Sequence, residues 1–283
     1  MESFKPSLMK VLAATLLAGA LCGPVQAAKA PPPPLPPVPY ADLADLADSA
    51  PLVLRAEIRK QAVVEPARAT GVRAGKARLY VEARTKALLF GTRTLGESLR
   101  YLVDVPLDSR GKVPSLGKKT VLLFARSVAN RPGELQLVQP DAQVLWDAAV
   151  EERVRGIVGE LIAPGAPGRI SGVREAIYVP GTLAGEGETQ LFLATPDGEP
   201  AAITVHHRPG EPAAWSASFS EVLEGAASVP PRDSLSWYRL ACFLPPALPQ
   251  GTNLSESAED RAQAAKDYAM VITQLGDCPR LRR

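Results

Sequence analysis

From residue 50 onward, apolar and polar positions alternate. Leu52, Leu54, Ala56 and Ile58 interleave with Val53, Arg55, Glu57 and Arg59, the period-two pattern of a half-buried strand. Leu79, Val81 and Ala83 repeat it, as do Leu99, Tyr101, Val103 and Val105. Thr120 to Ala125 is almost continuously apolar, which predicts a strand covered on both faces, and Leu135 with Leu137 begins a short fifth strand. Residues 71–76, 109–112 and 130–133 carry the Gly, Asn, Ser and Pro chemistry of turns between them. Asp42 to Ser49 reads as a short helix before the first strand, with Leu43, Leu46 and Ala47 on one side.

The period then changes. Trp146, Val150, Val154, Ile157 and Leu161 recur at three and four residues within 141–161, which predicts a helix ended by Pro164 to Gly168. Beyond it, Val173 to Val179 is strand-like. Runs containing Thr189-Leu191-Leu193, Ile203-Val205-His207 and Trp215-Ala217-Phe219 form a three-strand antiparallel meander with one apolar face. Two helices are at hand to cover that face. One begins after Ser234, with Leu235, Tyr238 and Cys242, and stops at Pro245-Pro246. The other follows Ser255 or Ser257, carries Ala258, Ala262, Ala265, Ala269 and Ile272 on one side, and stops at Gly276. The expected fold is mainly β with an α+β second part: a small five-stranded OB-like barrel over 41–140, closed or nearly so, then over 141–283 a meander packed by helices.

Residues 1–27 have the three parts of a secretory signal: Lys5 and Lys10, the apolar run Val11–Leu21, and the small-x-small site Val25-Gln26-Ala27. The run is shorter than the roughly 20 residues a membrane span needs. Leu21 precedes Cys22 where a lipid-acceptor motif needs a small residue. Cleavage after Ala27 leaves 256 residues with no membrane-spanning segment, in the periplasm or outside the cell. Within the 28–40 linker, Pro31–Pro39 holds seven prolines in nine residues, the composition of a stiff polyproline II spacer.

The helix leading into Leu52–Ile58, the long strand Leu79–Phe90 and the Gly117-Lys118-Lys119 turn into Val121–Phe124 resemble the OB-fold-like barrel of the netrin-like and tissue-inhibitor-of-metalloproteinase domains, over residues 42–139. Those inhibitors act through an N-terminal cysteine whose amine chelates the target's zinc. Here the expected mature N-terminus is Ala28 followed by prolines, so the resemblance implies the barrel and not the inhibition. The stretch Gly181–Leu193 and the segment Trp237-Tyr238-Arg239-Leu240-Ala241-Cys242 resemble an uncharacterised family of exported bacterial proteins, which implies no activity.

Net charge is +2 with acids and bases interspersed, and there is no basic stripe with aromatics between, which argues against a nucleic-acid partner. After cleavage Cys242 and Cys278 remain, and in an oxidising compartment they are expected to pair. The chain has two histidines, His206 and His207; neighbours on a strand face opposite ways, so they do not serve one metal or one triad, and alternation puts His207 on the core side. Glu186 and Glu188 lie in a glycine-flanked loop where they can act as paired acids or bind a cation. No HExxH, G-x-S-x-G, Walker or GxGxxG motif is present, so no cofactor, metal site or catalytic residue is expected. The function expected is non-enzymatic binding of a protein, an envelope polymer or a small molecule, with His206, Glu186 and Glu188 as contact residues. A hydrolase built on His206, His207 or the Glu186/Glu188 pair is the competing class, and a structural envelope component the third.

Overall fold

The computed structural model describes residues 38–92, 96–220 and 229–282, together with Met1; the signal segment and most of the proline run lie outside the described residues. Pro39 precedes the first helix, α1 (Tyr40–Ser49), which starts two residues earlier than its apolar spacing alone predicts and ends before Pro51. Leu43, Ala44, Leu46 and Ala47 are buried on one side, while Asp42, Asp45 and Asp48 follow one another at every third position on another.

The first sheet contains β1 (Leu52–Val63), β2 (Lys76–Phe90), β3 (Ser98–Pro106), β4 (Thr120–Ser127), β5 (Leu135–Leu137) and β6 (Gln143–Leu145). Its order is β3-β2-β1-β4-β5, all neighbours antiparallel, with β6 also pairing β4. Val121 through Ala125 are fully buried, as their continuous apolarity predicts. The sheet is not a closed barrel. Three-residue β5 makes its ladder with β4 and none with β3, so among the described residues the two edges meet at an isolated parallel bridge between Arg100 and Glu134 and where the Asp104 amide donates to the Pro140 carbonyl at 2.7 Å.

Residues 141–147, expected as helix, instead supply β6, whose Val144 and Leu145 pair with Leu122 and Val121. The helix α2 (Ala148–Ile162) begins only where the Asp147 carboxylate accepts from the amides of Ala149 and Val150. The first sheet thus extends past residue 140.

The second sheet is a four-strand antiparallel meander, β7 (Gly172–Pro180), β8 (Gly187–Ala194), β9 (Ala202–His207) and β10 (Ala214–Ser218), one strand more than the meander expected. α3 (Leu235–Ala241) is capped by Ser234, and α4 (Ala258–Leu275) by Ser257 in a reciprocal capping box with Asp260. The buried side of α4 is not the alanine stripe. Ala258, Ala262, Ala265 and Ala269 are exposed, while Ala264, Asp267, Tyr268, Val271 and Leu275 are buried. Tyr, Val and Leu remove more apolar area from water than alanine does, so they take the inner side and carry Asp267 with them. Cys242, at the end of α3, is disulfide-bonded to Cys278, just past α4, with Cα atoms 5.2 Å apart.

Candidate functional site

Alternation along the second sheet sorts its side chains between two faces. The inner face presents Ala176, Thr189, Leu191, Ile203, Val205 and Trp215, all buried. His207 and Tyr178 continue it to the end of the sheet. The outer face carries Ile177, Val179, Glu188, Gln190, Phe192, Thr204 and His206.

On the outer face, register places Glu188 directly opposite His206. His206 Nδ1 lies 3.0 Å from Glu188 Oε2, with both side chains substantially exposed, and Gln190 Nε2 donates to Glu188 Oε1 at 2.6 Å. Glu186 takes a different role from its neighbour. Its carboxylate turns back over the 181–186 turn, accepting from the Leu183 amide at 3.2 Å and from the Thr182 hydroxyl. This fold-back needs a glycine at 181, where a Cβ would collide with the Glu186 side chain. The two glutamates are therefore not a bonded acid pair: each is held by its own partners.

These groups line a cleft of about 740 Å³, together with Ile177, Val179, Phe192 and Arg208. Val179 in the lining is 60% exposed, and Leu183 in the adjoining turn 63%. All three contact residues expected from the sequence, His206, Glu186 and Glu188, are in the lining.

The inner face holds a cluster that the sequence pattern did not reveal. Asp267 of α4, 3% exposed at its side chain, receives His207 Nε2 at 2.9 Å and the Thr189 hydroxyl at 2.5 Å on Oδ2, and Gln263 Nε2 at 2.8 Å on Oδ1. A carboxylate only accepts, so His207 carries its proton on Nε2. Tyr178 stands edge-on to the imidazole, ring centroids 5.9 Å apart, and passes so close over Gly187 that a Cβ there would strike its hydroxyl. Burial first, then the charges of Asp267, Asp260 and Glu259, raise the Tyr178 phenol above its ordinary value of 10.0. The imidazole–carboxylate geometry is that of an oriented base, with 19% of the His207 side chain exposed.

Among the described residues, no group of three His, Cys, Asp or Glu comes together that could hold a metal ion, and no helix is long and apolar enough to cross a membrane. No protein-family model matches this chain, and no curated protein matches it.

Proposed function

We propose that the chain is an exported binding protein whose ligand site is the outer-face cleft of the second sheet, and that the ligand is an organic cation with an aliphatic part, such as an amine-bearing envelope component or a basic peptide side chain. The observation that carries this reading is the juxtaposition of exposed Val179, with Ile177 and Phe192, and the carboxylates of Glu186 and Glu188 around one cleft. Glu186 is bonded only to an amide and a hydroxyl among the described residues, so its charge has no paired cation. Arg208, the fixed cation in the lining, has Glu211 beside it at 3.7 Å. The strand-borne groups Glu188, His206 and Gln190 are held by one another before any ligand arrives, which limits the ordering cost of binding. The Cys242–Cys278 disulfide supports work outside the cytoplasm.

The test is calorimetric titration with three probes of equal chain length: hexylamine, hexanol and hexanoate. The amine should bind most tightly and hexanoate least, and Glu186→Gln with Glu188→Gln should remove the preference for the amine. Absence of saturable binding by any probe, or tightest binding of hexanoate, would overturn the reading.

A second reading is favoured by one specific observation, the His207–Asp267 pair beside the same cleft: a hydrolase with His207 as general base. A panel of ester and amide substrates on parent and His207→Gln decides it. Turnover that vanishes in the variant while its fold persists would favour the enzyme.

A further inference from the structure

The three aspartates of α1 are satisfied from the far end of the sequence. Asp48 is gripped by both terminal nitrogens of Arg239, at 3.0 and 2.8 Å, and by Arg169. Asp45 accepts from the Tyr238 hydroxyl at 2.5 Å and from Arg280 Nε at 2.7 Å. Asp42, 1% exposed, receives only two donors among the described residues, the backbone amides of Leu281 and Arg282 at 3.0 and 3.3 Å. A buried carboxylate stripped of its donors is costly, so the seating of α1 depends on residues 280–282 staying in place.

That segment is held by side-chain contacts and one covalent bond rather than by a backbone ladder. α4 ends at Gly276, whose φ of +69° turns the chain out of the helix, and residues 277–282 make no backbone–backbone hydrogen bond to any strand or helix among the described residues. Away from α1 its contacts include Arg282 with Asp141 at 3.0 Å, Arg232 donating to the Asp277 carbonyl at 3.2 Å and Arg280 over the Phe243 ring, all through side chains; the one covalent restraint is the Cys278–Cys242 bond, two residues before Arg280. A covalent tie at that spacing keeps the Arg280 guanidinium and the two amides at high effective concentration over α1.

We propose that this disulfide is a redox latch: its formation docks residues 278–282 onto α1, and its reduction releases them and loosens α1 from the fold. On closing, the Cys242 and Cys278 thiols give up two electrons and two protons to a disulfide-bearing oxidant, which becomes a dithiol as the Sγ–Sγ bond forms. A reducing compartment would keep the first helix loosely held, and an oxidising one would complete it.

Hydrogen exchange read by mass spectrometry, on the full chain before and after reduction by a phosphine, tests the latch. Peptides covering Tyr40–Ser49 should exchange at least tenfold faster after reduction, while peptides from β1 and β4 keep their protection. Asp42→Ala in the oxidised protein should accelerate the same α1 peptide, which keeps the test independent of cysteine variants. The latch is refuted if α1 keeps its rate on reduction, since the segment then docks without the bond. It is equally refuted if every peptide accelerates together, since the disulfide is then a general staple.

Discussion

Two faces of one sheet treat adjacent histidines in opposite ways. On the inner face, His207 meets a carboxylate shut away from water and locked by a hydroxyl and an amide. On the outer face, His206 meets a carboxylate half in solvent, with the cleft open above it. Both are imidazole–carboxylate contacts of about 3 Å. Their consequences differ because water screens one and not the other. The inner pair is tied to the seating of α4 on the sheet, whereas the outer pair is free to exchange its partners for a ligand.

The sharpest way to break this contrast is to remove the inner acceptor. Asp267→Ala leaves His207, Thr189 and Gln263 without their shared partner and should cost about 3 kcal/mol in urea unfolding; a loss no larger than that of an exposed ion pair would erase the distinction. His207→Gln keeps a donor within reach of Asp267 and should cost about 1–2 kcal/mol, with cleft binding retained.

Alkali offers a milder probe of the same face. The folded protein holds the Tyr178 proton at pH values where the unfolded chain has lost it, so this contribution is intact below pH 10 and declines as pH rises from there toward the folded value. Tyr178→Phe should therefore lose less stability in that range than the parent. Asp267→Asn removes the largest charge acting on Tyr178 and should bring its ionisation, followed by phenolate absorbance, back toward 10.

The smallest stability effect belongs to the outer face. His206→Gln and Glu188→Gln should each change unfolding free energy by no more than about 0.5 kcal/mol, yet Glu188→Gln should weaken hexylamine binding.

Much of this was legible in sequence because it rests on local periodicity. The strands of the first sheet, the meander, the Ser234 cap and the opposite facing of His206 and His207 all follow from alternation and capping chemistry. His206 was legible as outward for the same reason, whereas Glu186 and Glu188 were read from a glycine-flanked loop, of which Glu186 stays in the turn and Glu188 lies on β8. Asp267 was not. It sits on α4 at a position that polar character assigns to solvent, and its partners Thr189 and His207 lie 78 and 60 residues away. The choice between the alanine stripe and the Ala264–Tyr268–Val271–Leu275 side of α4 turned on the larger apolar area of the latter, which carries Asp267 inward with it. β6 was hidden in a different way: three residues paired to β4 are too short for a period to register. The open seam between β3 and β5 depends on the length of a strand whose end no turn motif marks.

Because the chain has two histidines, their imidazole proton resonances report the two faces separately. Titrating hexylamine into the full chain, with the signals assigned through His207→Gln, addresses the central claim that the outer-face cleft is the binding site. The account predicts that the His206 resonance shifts saturably, with the same midpoint as the calorimetric titration, and moves more than that of His207, which borders the cleft from the inner face. Movement of His207 with a stationary His206, or saturable binding that leaves both resonances in place, would contradict it.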